Sequence, residues 1–366
     1  MSTAWPGPEP GDNGPVLRWL LLLAVPLALG LELLGGAGSW VFGLSLLALL
    51  PLAGWMGEAT EELAARAGAT VGGLLNASFG NAAELIVGAV ALSAGKVAVV
   101  KASITGSILS NLLLVLGLSV FLGGLRHHTQ RFNKATAGLL ATLLVLATIA
   151  LALPALFDYG ARSYFRLARP AGADLAYSLA VAGVLVAAYL ANLVFSLVTH
   201  RDLVGAPLEG RPPRWSARRA LGVLLLSTLG VAAMSELLVR HLEAATRELG
   251  LSEFFVGIVL IPLVGNAAEH LAAVGFAIRD RVELTVQIAL GSSLQIALLV
   301  APLLVLFGFL VGRPMDLVFQ NPLELGGLIA SVLITNAVVQ DAQTHWLEGI
   351  LLLGVYLLLA FAFLLV

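Results

Sequence analysis

Apolar runs of about twenty residues, separated by short polar connections, recur from one end of the chain to the other. A helix that crosses a bilayer needs ~20 predominantly apolar residues. Eleven stretches meet that length: Val16–Leu34, Trp40–Met56, Ala67–Ala94, Ala102–Leu125, Ala135–Phe157, Leu175–Thr199, Ala220–Val239, Phe254–Ile278, Leu284–Gly312, Leu323–Gln340 and Gly349–Val366. The tenth is the weakest, because Glu324 stands near its start and only sixteen charge-free residues follow. Before the first run, residues 1–15 are rich in Pro and Gly and read as a disordered tail. They lack the basic leader and small-residue cleavage site of a signal peptide, so the first run is expected to stay in the membrane.

Composition supports this reading. Hydrophobic residues make up 59% of 366 and charged residues 11%, with a mean hydropathy of +0.97; a soluble domain carries about 25% charge. The expected class is an all-α polytopic membrane protein whose first partner is the lipid bilayer. A net charge of -2 is near neutral and argues neither for nucleic acid, which is not expected as a partner, nor for an acidic one. The absence of cysteine removes disulfides, thiolate metal sites and thiol catalysis. The six histidines show no paired-ligand spacing.

Loop charges suggest an orientation. With eleven spans, the N-terminal side collects twelve basic residues: Arg18, Arg66, Arg126, Arg131, Lys134, Arg201, Arg211, Arg214, Arg218, Arg219, Arg279 and Arg281. The other eight fall on the opposite side, which favours a cytoplasmic N-terminus and an external C-terminus. The longest polar connection, residues 200–219, holds three prolines and five arginines against two acids and reads as a cytoplasmic linker between two halves. The expected organisation is a leading helix at 16–38, a five-helix repeat at 39–199 and a second at 220–366.

The repeat is visible directly. Gly80-Asn81-Ala82-Ala83-Glu84 recurs as Gly265-Asn266-Ala267-Ala268-Glu269, 185 residues later. At that offset residues 80–119 align with 265–304 without a gap and thirteen of forty positions are identical, more than a Leu/Ala-rich composition gives by accident. Gly106-Ser107 falls on Gly291-Ser292 and Ser110 on Gln295. Upstream, Thr60-Glu61 resembles Ser235-Glu236, and downstream Phe132-Asn133 resembles Phe319-Gln320. Five spans separate the two motifs, so the copies cross the membrane in opposite directions. That is the inverted repeat of many secondary transporters, whose site lies at the midplane on interrupted helices. Gly72-Gly73, Gly80-Asn81, Pro262 and Gly265-Asn266 supply the interruptions, which membranes tolerate only where freed backbone lines a cavity or binds something.

Glu84 is the only charged residue between Ala67 and Ala94, and Glu269 with His270 the only ionisable pair between Phe254 and Ile278. A carboxylate at the middle of a membrane helix costs ~2.5–3.5 kcal/mol even on insertion scales, so function is the default reading. An ion pair to a neighbouring helix is the bland alternative, but no Lys or Arg lies mid-span in these stretches to supply it. Asn81 and Glu84, like Asn266 and Glu269, are three apart and expected to share a helix face. Two carboxylates and two amides form an oxygen-rich set suited to a hard divalent cation, and Ca²⁺ accepts its irregular geometry better than Mg²⁺. The same carboxylates can hold protons when the cation is absent and release them when it arrives. Ser107, Ser110, Ser292 and Gln295 are candidates to line the site, although serine in a membrane helix often only packs closely. Glu61, Glu236 and His270 are candidates for ion access or a proton path, with solvation or helix packing as the plainer readings.

On both Gly-Asn-Ala-Ala-Glu motifs, the Gly106-Ser107 and Gly291-Ser292-x-x-Gln295 contexts and the Glu61 and Glu236 contexts, the chain resembles the calcium/proton exchangers of the cation/calcium exchanger superfamily. The resemblance covers nearly the whole chain as one leading helix plus five and five. It implies an antiporter that exports Ca²⁺, or other divalent ions, against protons, with Glu84 and Glu269 central and no cofactor. Many members carry an acidic helix between the halves; here that connection is basic. Sodium coupling within the same superfamily and a passive cation channel are the competing transport readings. An intramembrane hydrolase is disfavoured because no nucleophile–base constellation accompanies the carboxylates. A prokaryotic plasma membrane is expected from the short tails and loops, and homo-oligomerisation is left open.

Overall fold

The computed structural model describes residues 14–161, 172–200, 213–319 and 321–366. The expected tail up to residue 13, residues 201–212 of the linker, and Gln320 lie outside the described residues. What is described is almost wholly helical. The chain opens with α1 (Gly14–Leu22) and α2 (Ala24–Leu33), followed by the long α3 (Gly38–Phe79) and α4 (Ala82–Ser93). Next, α5 (Val97–Leu109) continues through a π-helical turn at Ser110–Val115 into α6 (Leu116–Arg126). A two-residue strand β1 (Gln130–Arg131) precedes α7 (Lys134–Tyr159) and α8 (Ala173–Val194), the latter ending in a π turn at Phe195–Thr199. The second half runs α9 (Ala217–Leu249), α10 (Glu253–Phe255), a π turn at Val256–Leu260, α11 (Ile261–Gly265) and α12 (Ala267–Ile278). It continues with α13 (Val282–Gln295), a π turn at Ile296–Val300, α14 (Ala301–Leu310), α15 (Pro322–Val339), strand β2 (Gln343–Thr344) and α16 (Trp346–Leu364).

Nine helical segments among the described residues are long and apolar enough to cross a membrane, and the bent pair Glu253–Gly265 with Ala267–Ile278 makes ten. Each coincides with one of the expected runs. The exception is the first, where Val16–Leu34 is two short helices with the junction at Leu23, and Pro26 sits just inside α2. Boundaries also shift. The second run extends from Gly38 to Gly68 rather than stopping at Met56, and α9 begins at Ala217 and runs to Leu249, well past Val239. A 33-residue helix is ~50 Å long, against a hydrocarbon core of ~30 Å, so the two ends of α9 carry charges outside it. The strand pair was not expected from the sequence at all. Gln130 pairs with Thr344 and Arg131 with Gln343, antiparallel.

Helix ends are closed by local chemistry. The side chain of Asn133 accepts from the amides of Ala135 and Thr136, Ser216 accepts from Arg219, and Asn321 accepts from Leu323 ahead of a Pro at N1; these are the residue types that cap best. Outward faces carry large apolar side chains such as Leu226, Leu271, Leu357, Leu358 and Val184, each more than 60% exposed. No soluble fold presents so continuous an apolar belt. The chain is an integral membrane protein. Its centre is formed by the α5–α6 and α13–α14 rods, the most buried of the long segments, whereas α8 and α16 lie at the periphery.

The 185-residue offset also governs the backbone. Helix α4 spans Ala82–Ser93 and α12 spans Ala267–Ile278, both twelve residues. Helices α5 and α13 start at Val97 and Val282, and each gives way to a π turn at equivalent positions. The left-handed residue after α4 is Gly95 (φ 80°), and the matching one after α12 is Asp280 (φ 57°).

Candidate functional site

Both motifs fall at helix breaks. The amide of Gly80 closes the end of α3 on the Asn76 carbonyl at 2.8 Å. Asn81 then leaves helical geometry (φ -107°, ψ 30°) and α4 starts afresh at Ala82. In the second half Asn266 (φ -92°, ψ 5°) separates α11 from α12 across a 58° bend. The expectation that each Asn and Glu share one continuous helix face is therefore corrected. The Asn sits at the break and the Glu lies in the first turn of the new helix. That turn carries free amides and the positive end of the helix dipole, a favourable place for a carboxylate.

An Asn preceding a helix ordinarily caps it. Neither Asn81 nor Asn266 does so; both reach into the opposite half instead. Asn81 Oδ1 accepts from Ser292 Oγ at 2.9 Å, and Asn81 Nδ2 donates to Gln295 Oε1 at 2.6 Å. Asn266 Nδ2 donates to Ser107 Oγ at 3.3 Å and to the Pro262 carbonyl at 3.2 Å. The contacts Asn81–Ser292 and Asn266–Ser107 map onto each other when the halves are exchanged. Ser292 also lies in hydrogen-bonding reach of Glu269.

Close backbone approach brings the motifs together. A Cβ on Gly265 would stand 3.8 Å from Glu84 Oε1, and one on Gly80 would stand 3.3 Å from Gln295 Oε1. On Gly106 it would lie 2.0 Å from the Ile258 carbonyl oxygen, so only glycine lets α5 touch the π turn that leads to the second motif. Glu84 and Glu61 are the acidic side chains close enough to act electrostatically on Glu269. Three buried oxygens here lack any protein donor: Glu84 Oε2, Glu269 Oε2 and Asn266 Oδ1. Among the described residues no group of three or more His, Cys, Asp or Glu forms a metal cluster. The oxygens on offer at this place are those of two carboxylates supplemented with amide, hydroxyl and carbonyl groups.

Of the residues singled out in the sequence, Glu84, Glu269, Asn81, Asn266, Ser107, Ser292 and Gln295 come together. Ser110 is fully buried and its hydroxyl lies 3.5 Å from His270 Nε2. Glu61 is exposed on α3, yet near enough to influence Glu269. Glu236 is on an exposed face of α9, 3.3 Å from Arg240, which also binds Glu32 at 2.9 Å. The equivalence of Glu61 and Glu236 in sequence is thus not one of surroundings. Two buried acids escaped notice as functional candidates. Glu324 is 4% exposed and accepts from Thr105 Oγ1 at 2.9 Å. Glu62, also 4% exposed, accepts from the Arg214 and Trp215 amides. The second had no distinct signal, because Glu58, Glu61, Glu62 and Arg66 share one charged stretch of the chain.

The family model described as sodium/calcium exchanger protein matches the chain twice, over residues 37–198 and 219–365. The chain belongs to this family. A Synechocystis protein named Ca(2+)/H(+) antiporter is 45% identical over 362 residues, covering 94% of this chain and 96% of that protein. A Schizosaccharomyces pombe protein named vacuolar calcium ion transporter is 39% identical, covering 94% of this chain and 84% of that protein. The solved structure of native YfkE superposes with a TM-score of 0.83 at 36% identity, covering 95% of this chain and all of that one. The two segments that this family model matches divide the chain where the basic linker stands.

Proposed function

We propose that this family member is a secondary active antiporter that exports Ca²⁺ in exchange for protons by alternating access. The observation that carries the reading is the set of three undonated, buried oxygens on Glu84, Glu269 and Asn266 at the meeting of the two motifs. Relatives named as Ca²⁺/H⁺ antiporters, similar along nearly the whole chain, supply the coupling partner. Glu84 and Glu269 each bind Ca²⁺ when ionised and a proton when it is absent, so the two cargoes displace one another without a covalent step. Asn81, Ser107, Ser292 and Gln295 orient the oxygens. Glu61 and the His270–Ser110 pair flank the site on routes for ion access or proton transfer. Two neutralised carboxylates give one Ca²⁺ for two H⁺. No cofactor and no enzymatic step is required.

We read the architecture as eleven crossings, the leading α1–α2 segment followed by two inverted five-helix repeats. Parity supports it. Arg18 meets Glu58, Arg66 meets the Trp215 carbonyl, and β1 meets β2 on one side. On the other side Glu32 meets Arg240, Lys96 meets Glu243 and Glu253, and Lys101 meets Asp316. We take the first side as cytoplasmic, a reading that the excess of loop Lys and Arg there supports, and the host membrane as a prokaryotic plasma membrane.

In everted vesicles an acid interior should drive ⁴⁵Ca²⁺ uptake by the wild type, and Glu84→Gln or Glu269→Gln should abolish it while leaving the protein monodisperse. Uptake near wild-type level in either variant ends the assignment. A Na⁺ gradient imposed at clamped pH separates sodium coupling from proton coupling, and flux indifferent to both gradients identifies a channel.

A further inference from the structure

The linker rejoins the bundle at residues 213–216, where its backbone is bonded to side chains of α3. Glu62 is 4% exposed although it lies within a turn of the chain's polar edge. One oxygen, Oε2, accepts two consecutive backbone amides, from Arg214 at 2.7 Å and from Trp215 at 3.0 Å. One turn further along α3, the Arg66 guanidinium donates to the Trp215 carbonyl. The Arg219 guanidinium lies over the Trp215 ring at 4.7 Å, and Ser216 caps α9 by accepting from the Arg219 amide. Residues 214–216 are thus held by both polar backbone groups of Trp215, by its ring and by the cap of the next helix.

What this junction grips is the segment of α3 that leads to the site. Gly68 breaks α3 with φ 80° and ψ 170°. The chain then folds back closely enough that a Cβ on Gly72 would fall 2.2 Å from the Ala64 carbonyl oxygen. Ala64 lies between Glu62 and Arg66, so the gripped turn is in backbone contact with the start of the half-helix that ends at Gly80-Asn81. The neighbouring residue, Glu61, stands on the same turn of α3. We propose that Glu62 is a positioning residue for transport: by anchoring the linker exit to α3 it sets the Gly68 break, and with it the placement of Glu61 and of the first motif. A carboxylate is suited to this because its charge strengthens both N–H bonds to roughly twice a neutral one.

The inference rests on the antiport reading for its functional consequence but not for the junction itself, and two measurements keep them apart. Amide hydrogen exchange on the full chain should show Arg214 and Trp215 protected in the wild type and released in Glu62→Leu. Rapid exchange of both amides in the wild type overturns the proposal whatever is transported. In proteoliposomes, Glu62→Leu should lower maximal proton-driven ⁴⁵Ca²⁺ uptake about tenfold or more, with the half-saturating Ca²⁺ concentration within about threefold of wild type. Glu62→Gln, which keeps an acceptor oxygen, should recover most of the rate. Unchanged uptake in Glu62→Leu, or a loss confined to Ca²⁺ affinity, overturns the proposal. Should Glu62→Leu fail to fold, Arg66→Gln removes the second strap alone; it should slow maximal uptake several-fold at unchanged half-saturation, and wild-type uptake there counts equally against the idea. Absence of proton-driven uptake by the wild type would instead defeat the antiport reading.

Discussion

Glu84 and Glu269 present one undonated oxygen each, and a divalent ion bound between them loses half its carboxylate charge when either becomes Gln. Losing one charged partner of a desolvated pair typically costs ~2–5 kcal/mol, which is on the order of 30- to several-thousand-fold in affinity. Glu84→Gln and Glu269→Gln should each show that loss in equilibrium ⁴⁵Ca²⁺ binding, with the two effects comparable because the surroundings are related. Ser292→Ala is expected to be milder. It removes the donor that fixes the Asn81 carbonyl, one hydrogen bond of ~0.5–1.5 kcal/mol, and should raise the half-saturating Ca²⁺ concentration about 2–10-fold without altering expression or monodispersity. Protonation supplies a third check at this scale. On the proposed competition of protons and Ca²⁺ for the same carboxylates, lowering pH on the loading side should raise half-saturating Ca²⁺ while leaving the maximal rate at saturating Ca²⁺ unchanged. A maximal rate that falls with pH at unchanged half-saturation would separate the proton from the cation site. The motif glutamates were legible in the sequence, since charge is so scarce there. Their partners were only partly so: that Asn81 would bond Ser292 rather than cap α4 depends on a contact 211 residues away.

At the scale of elements, the two halves repeat in backbone but not in every packing contact, and this asymmetry is testable. Gly106 and Gly291 occupy equivalent positions, yet a Cβ on Gly106 would collide with the Ile258 carbonyl at 2.0 Å and one on Gly291 meets nothing within 4 Å. The neighbour of Gly106 is backbone and cannot rotate aside, so overpacking of ~1–3 kcal/mol follows. Gly106→Ala should lower the apparent thermal midpoint in detergent by several degrees and reduce uptake, whereas Gly291→Ala should leave both near wild type. Equal effects would mean that the crossing of α5 with the Val256–Leu260 turn is looser than described. Element positions were readable because each span is a long apolar run bounded by charge, glycine or proline. The break at Gly265-Asn266 was signalled by Pro262. The β1–β2 pair was not readable, because two residues per strand leave no alternation to detect and their pairing is between segments over 200 residues apart.

For the whole molecule, the number of crossings decides which side each loop occupies, and the eleven counted from hydropathy include Val16–Leu34, which the structure breaks at Leu23. The pairings described above divide the loops into two sets that never mix. Gln130, in β1, donates to the Ala277 carbonyl and to Asp280, so the β1 and Arg279–Arg281 connections share a side. Asp316, in the segment between α14 and α15, binds Lys101 and so belongs with the Lys96 connection. Because the natural chain contains no cysteine, a single introduced thiol reports its side without background. His128→Cys, at an exposed position before β1, should react with a membrane-impermeant maleimide only in inside-out vesicles. Arg313→Cys, exposed beyond α14, should react only in right-side-out vesicles or intact cells. Labelling of both from one face would break the alternation on which the opposed crossing of the two motif helices depends. The cytoplasmic assignment alone would fail if the two positions labelled from opposite faces but in the reverse sense. That outcome would leave the paired carboxylates in place and the sense of net exchange unchanged, because the two ion gradients fix that sense and the orientation of the carrier does not.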